Sequence, residues 1–126
     1  MKISCGTDII EVERIKKAVE NLGNKFLEEV YTKKEIEYCE TKNVMKYEHY
    51  AVRFAGKEAV YKAVSKFLEN KYALKWRDME ILNDSNGRPY VILNEGIIKE
   101  NIEIDISLSH IKDYAIANCV ILLKED

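Results

Sequence analysis

The chain has 126 residues, 47% of them hydrophobic and 33% charged, with 20 basic against 22 acidic side chains for a net charge of −2. That size and balance predict one domain over residues 1–126 with a substantial core, and they exclude both a chain kept disordered by surplus charge and a nucleic-acid binder with an extended basic stripe. No run approaches the roughly 18 apolar residues that cross a bilayer, and the first residues lack a signal peptide's apolar segment, so a cytoplasmic protein without membrane contact is expected.

At the amino terminus Ile3, Cys5, Thr7 and Ile9 alternate with Ser4, Gly6, Asp8 and Ile10, the pattern of a strand with two distinct faces. Gly6 within it marks a place where another backbone or a ligand comes close. Asp8 has two readings: with Glu11 three residues on, it resembles a capping box for the following helix, or it is an acid held out for chemistry. Val12, Ile15, Val19 and Leu22 then recur at helical spacing, and Gly23 ends that helix. Thr32-Lys33-Lys34-Glu35 is a capping box for a short helix reaching about Cys39. A long helix is expected from about Lys46 to Phe67, where the row Ala51, Ala55, Ala59 and Ala63 permits close approach of a neighbour. On it Glu58 shares a stripe with Ala51, Phe54, Ala55 and Lys62. Glu58 and Lys62 are correctly ordered for an ordinary i,i+4 ion pair of about 0.2–0.5 kcal/mol, which is the plain alternative to a functional carboxylate.

From Asp78 the period changes. Met79 to Leu82 and Tyr90 to Leu93 flank Asp84-Ser85-Asn86-Gly87-Arg88-Pro89, a hairpin turn with Asn-Gly chemistry. A short helix is predicted near Glu95 to Glu100. Ile104, Ile106, Leu108 and His110 then fall on one face of a strand while Ser107 and Ser109 point the other way, and His110 ends the apolar stripe. Lys112-Asp113 connects to a last strand, Tyr114 to Leu123. The order of elements is that of an α+β fold. Cys5, Cys39 and Cys119 are odd in number and lack metal-ligand spacing, so they are read as reduced packing residues.

Four segments carry a resemblance. Gly6-Thr7-Asp8-Ile9-Ile10-Glu11-Val12-Glu13-Arg14-Ile15, Arg53-Phe54-Ala55-Gly56-Lys57-Glu58-Ala59-Val60-Tyr61-Lys62-Ala63, Asn86-Gly87-Arg88-Pro89 and Ser107-Leu108-Ser109-His110 together resemble the holo-acyl-carrier-protein synthases, the small bacterial 4'-phosphopantetheinyl transferases. The resemblance implies the fold of that family, a long central helix packed on a mainly antiparallel sheet, assembled as a homotrimer with active sites between subunits. It implies transfer of 4'-phosphopantetheine from coenzyme A to a serine of an acyl carrier protein, releasing adenosine 3',5'-bisphosphate, in support of fatty acid biosynthesis.

By the same resemblance Asp8 and Glu58 hold magnesium, a hard cation that binds through one or two carboxylates plus substrate phosphates and water. Lys62 adds positive charge at the diphosphate. Arg53, Ser109 and His110 are further candidate contacts to coenzyme A, and Gly87, Arg88 and Pro89 approach the nucleotide from an adjacent subunit. The general base stays open among Glu58, a metal-bound water and His110. For an acidic carrier protein the attraction must be local, and Arg14, Lys16, Lys17 and Lys25 are the candidates, with Arg14 favoured by the resemblance. Two positions depart from the family pattern: Gly56 replaces the usual alanine, and Ile111 replaces a small hydroxyl or acidic residue. A non-catalytic binder of coenzyme A or carrier and a metal-dependent phosphohydrolase are the competing classes.

Overall fold

In the computed structural model, which describes residues 2–124, the amino-terminal alternation becomes strand β1, Lys2–Glu11. Helices α1 (Val12–Leu22), α2 (Asn24–Val30), α3 (Lys33–Glu40) and α4 (Lys46–Val64) follow. Next come the hairpin strands β2 (Met79–Asn83) and β3 (Pro89–Leu93), and finally β4 (Ile102–His110) and β5 (Tyr114–Leu123). β5 lies between β1 and β4 in a three-stranded antiparallel sheet, and β2 pairs with β3 in a separate ribbon, so the expected α+β architecture is present. Asp8 is level with Ala117 of β5, which is level in turn with Leu108 of β4.

The long helix α4 covers one face of this sheet because its small residues allow it. Ala51, Ala55, Ala59 and Ala63 are fully buried, and against the last three pack Ile106, Ala117, Cys119 and Ile121. Contact is closest at Gly6: a Cβ built there would overlap the Ala59 carbonyl oxygen and stand 2.8 Å from the Ala63 nitrogen. Ser4 Oγ donates to Ala63 O at 2.7 Å beside it. Strand and helix therefore meet backbone to backbone, which sets Asp8, two residues past Gly6, against the same helix. At Gly56 the space of a methyl group is filled by Ile81, whose Cδ1 would lie 2.5 Å from an added Cβ. A second apolar cluster, built on Leu27, Tyr31, Tyr50 and Val52, joins α2 and α3 to the first half of α4.

Four expectations change in detail. β1 continues through Glu11, which caps α1 without a side-chain bond, so Asp8 belongs to the strand and no Asp8–Glu11 capping box forms. α2 occupies a stretch given no element from sequence; Gly23, at φ 58°, turns the chain between α1 and α2 in a conformation that L side chains rarely adopt. α4 ends at Val64 and continues as a 3-10 turn over Ser65–Phe67. No helix forms over residues 95–100. Gly96 sits at φ 83°, and Ile97 and Ile98 pack on the core from an irregular loop, which outweighs the weak drive of six residues to nucleate a helix. The Thr32 capping box is present as expected: Thr32 N donates to Glu35 Oε1 at 2.9 Å, and Glu35 N to Thr32 Oγ1 at 3.4 Å.

Candidate active site

β1 and α4 bring Asp8, Glu58 and Lys62 together. Lys62 Nζ lies 3.1 Å from Asp8 Oδ1 and donates to Thr7 O at 2.9 Å. The ordinary Glu58–Lys62 pair is thus replaced by one that crosses from helix to strand; among the described residues no ion pair within 4.0 Å joins Glu58 to Lys62. Glu58 is half-buried, and its carboxyl pKa is raised above the ordinary 4.5, first by burial and then by the negative charge of Asp8, with Lys62 opposing. Asp8 and Glu58 thus place two carboxylates together with a single ammonium, that of Lys62, beside them. Among the described residues no three His, Cys, Asp or Glu side chains gather as a metal-binding group. A cation at Asp8 and Glu58 would therefore complete its shell with substrate oxygens and water, which fits magnesium.

Glu58 stands at the meeting of two clefts. One, of about 430 Å³, is lined by Asp8, Ile10, Arg14, Phe54 and Glu58. The other, of about 510 Å³, runs from Glu58 past Tyr61, Leu74, Trp76 and Met79 with Lys71 and Lys75 at its edge. Its wall is fastened from behind by Lys57, a residue given no role from sequence. Lys57 Nζ is 2.6 Å from Glu35 Oε1, both side chains being fully buried, and it donates to Val30 O at 2.7 Å and Trp76 O at 3.1 Å. Burial pulls the Lys57 pKa down while the Glu35 charge opposes it. Glu35 also accepts from Ile81 N at 2.9 Å, so this pair ties α3, α4 and β2 together. Single-residue spacing cannot reveal a pair 22 positions apart; the signal was a lysine inside a run of small buried residues.

The remaining candidates form a separate group. Arg53 is 2% exposed, its Nη2 donates to Asn83 Oδ1, and its guanidinium lies 4.2 Å from the centre of the Tyr38 ring. Asn83 Nδ2 donates to Gly87 O at 2.9 Å, which connects Arg53 to the turn before Pro89. Tyr38, Arg53, Asn83, Ser85, Gly87 and Tyr90 line a cleft of about 390 Å³, and Arg53 Nε is buried within the fold without a protein partner. Arg88 Nη2 instead contacts exposed Asp105, at 3.0 and 3.1 Å from its two oxygens. His110 Nδ1 is 2.8 Å from Glu48 Oε1, and its ring meets His49 edge-on with centroids 4.9 Å apart. Burial, and secondarily the neighbouring His110, lower the His49 pKa to about 4. Ser109, one residue earlier, is exposed on the opposite face of β4.

Within one chain the two groups do not meet. Glu48 and Glu58 are both on α4, so at about 1.5 Å per residue they are roughly 15 Å apart along the helix, and His110 sits beside the former. The grouping of His110 with Asp8, Glu58 and Lys62 thus does not occur in a single copy. Arg14, Lys17 and Lys25 are exposed, and Arg14 lines the cleft of the two acids; Lys25 belongs to α2 and not to the end of α1. Cys39 and Cys119 are buried, with thiol pKa values pushed up to about 12 by burial, whereas Cys5 is exposed on the outer face of β1 and is no packing residue within the chain.

Residues 4–119 match the sequence model of the 4'-phosphopantetheinyl transferase superfamily. A holo-[acyl-carrier-protein] synthase of Ruminiclostridium cellulolyticum is 50% identical over 129 aligned positions, covering 98% of this chain and 94% of that one. Among solved structures, a Chronobacterium ammoniagenes ACPS–CoA complex superposes with a TM-score of 0.84 at 25% identity, covering 99% of this chain and 100% of the other. The Helicobacter pylori holo-[acyl-carrier-protein] synthase in complex with coenzyme A gives a TM-score of 0.79 at 31% identity, over 95% of this chain and 99% of its own.

Proposed function

The chain belongs to the 4'-phosphopantetheinyl transferase superfamily, and from that premise we propose that Asp8 and Glu58 form its magnesium site and Lys62 its principal phosphate contact. The reaction is transfer of 4'-phosphopantetheine from coenzyme A to a serine hydroxyl of an apo acyl carrier protein, with adenosine 3',5'-bisphosphate as the second product, and it supplies holo carriers for fatty acid synthesis. The observation that carries the site assignment is the gathering of Asp8, Glu58 and Lys62 from β1 and α4 at the junction of two clefts. Magnesium, when bound, would supply positive charge to offset the negative charge that builds on the bridging oxygen of the diphosphate as it departs.

The chain's own residues divide the remaining work. Lys62, half exposed, already leans on Asp8 and can present its ammonium to a phosphoryl oxygen without a large movement. Glu58 holding the metal would be a poorer base than a free carboxylate, so in this proposal a water beside Glu58 receives the serine proton. Arg53, Gly87, Arg88, Pro89, Ser109 and His110 form the nucleotide contacts of the proposal, and the cleft lined by Arg53, Asn83 and Gly87 supports a ligand there. Because His110 lies beside Glu48, roughly 15 Å along α4 from Glu58, a complete site draws the two from two copies.

A homotrimer fits that requirement and the surface. Opposite α4 the sheet presents Ile3 and Ile9 of β1, 68% and 62% exposed, beside Tyr114, Ile116 and Val120 of β5, an apolar face that a lone domain leaves wet. Ile9→Asp is expected to dissociate the assembly in sedimentation or light scattering and to lower turnover at least tenfold; an active monomer would contradict shared sites. A cytoplasmic location is proposed from three unpaired cysteines and from the substrates; no helix among the described residues is long and apolar enough to cross a membrane.

For the carrier protein, Arg14 is the expected anchor because it is exposed and lines the acid cleft, with Lys17 one turn further along α1 and Lys25 exposed on α2. Arg14→Glu is expected to raise KM for carrier by about tenfold and to leave KM for coenzyme A within about twofold. Equal changes in both constants would remove Arg14 from that role. The transferase reading itself is tested by release of adenosine 3',5'-bisphosphate from coenzyme A with an apo carrier or with a carrier whose acceptor serine is alanine. Release only with the intact serine is expected; equal release with both would mean that water is the acceptor and that the chain is a phosphohydrolase.

A further inference from the structure

We propose that Glu48 is the positioning residue of His110: it binds Nδ1–H and thereby fixes the ring so that Nε2 faces the nucleotide portion of coenzyme A. The proposal rests on the reading that His110 is a nucleotide contact. Glu48 stands in the first turn of α4, where an acid is ordinarily accounted for by the helix dipole alone. Here its carboxylate reaches across to the end of β4 and stops 2.8 Å from His110 Nδ1, with the two side chains only 18% and 24% exposed. A carboxylate accepts and does not donate, so this contact requires the proton on Nδ1 and leaves Nε2 as the nitrogen offered to a ligand. No hydrogen bond among the described residues engages Nε2.

The ring is also held from its side. His49, the next residue on α4, meets His110 edge-on at 4.9 Å and meets Tyr38 edge-on at 5.7 Å. Arg53 lies over that same Tyr38 and reaches Asn83, whose amide holds Gly87 O. Glu48 thus anchors one end of a continuous packed row that runs from His110 to Gly87 of the Asn86-Gly87-Arg88-Pro89 turn, so a ring orientation set at Glu48 is set relative to Arg53 and Gly87. A carboxylate that holds Nδ1 of a histidine fixes the orientation of the other nitrogen, as it does in metal-binding histidines.

The test compares Glu48→Ala, Glu48→Gln, His110→Ala and the double alanine variant. Titration calorimetry with coenzyme A and steady-state kinetics are combined with nitrogen-15 spectra of the histidine rings. Glu48→Ala is expected to raise Kd and KM for coenzyme A about tenfold, with kcat and KM for carrier within about twofold, and to add nothing in the His110→Ala background. Glu48→Gln is expected to stay within about threefold of wild type, because its amide oxygen accepts the same Nδ1–H. The wild-type spectrum is expected to show His110 protonated at Nδ1. A wild-type ring protonated only at Nε2 overturns the proposal without any variant. If His110→Ala weakens coenzyme A and Glu48→Ala does not, the positioning role is wrong and the His110 contact stands. If His110→Ala leaves binding unchanged, the nucleotide reading of His110 falls and the proposal falls with it.

Discussion

A Glu58→Gln protein is expected to melt at a higher temperature than the wild type at neutral pH while losing transfer activity by on the order of a hundred- to a thousandfold. The two effects share one cause. In the folded chain the Glu58 carboxyl is pushed above its ordinary 4.5 by burial and by Asp8, so folding favours its protonated form. Its favourable contribution is fully present below 4.5 and is lost as pH rises through the raised folded value. At neutral pH the charge is therefore a liability to the fold, and a neutral amide of the same shape removes it. The melting difference should close as pH falls below about 4.5, where wild-type Glu58 is protonated in both folded and unfolded states. Added magnesium should raise the wild-type melting temperature and raise that of Glu58→Gln less, since a ligand that binds only the native state stabilises it. A variant that keeps wild-type turnover would remove Glu58 from the site.

Gly6→Ala is expected to cost about 1–3 kcal/mol of stability and to lower activity sharply, although Gly6 touches no substrate in this account. A methyl group there collides with the Ala59 carbonyl and the Ala63 nitrogen, which are helix backbone and cannot turn aside. β1 must lift from α4, and Asp8, two residues along, moves away from Glu58 and Lys62. Gly56→Ala supplies the contrast within the same helix. Its new methyl meets the Cδ1 end of Ile81, a flexible side chain, and alanine improves helix propensity, so a change within about 1 kcal/mol is expected. Chemical denaturation paired with kinetics separates the two. A Gly6→Ala protein with unchanged stability would mean that the strand and helix are not in backbone contact.

The residues that could be read from sequence were those whose role is local. Alternation in β1 and β4, the Thr32–Glu35 cap and the Asn-Gly turn each act over a few positions, and each is present in the fold. Gly6 in a strand pattern and the alanine row of α4 announced a close approach, and each turned out to be the other's partner. What sequence could not show depends on distant elements. Lys62 chooses Asp8, 54 residues away, over Glu58 one turn back, because the strand carries a carboxylate to it. Lys57 and Glu35 satisfy each other only once α3 and α4 are packed. Residues 95–100 contain a short helical pattern that lost to the burial of Ile97 and Ile98. The motifs likewise suggested one constellation, whereas the fold sets His110 beside Glu48 in the first turn of α4 and leaves Glu58 ten residues further along, a division visible only after the helix is laid across the sheet.

The most direct measurement of the central claim is the intact mass of an apo acyl carrier protein after incubation with this protein, coenzyme A and magnesium, alongside a chelator control and the Asp8→Ala variant. The predicted result is a gain of one phosphopantetheine group on the carrier that disappears with the chelator and with the variant. An unchanged carrier mass across several carriers, with coenzyme A still bound, would contradict the transferase account and leave a binding protein that keeps the fold.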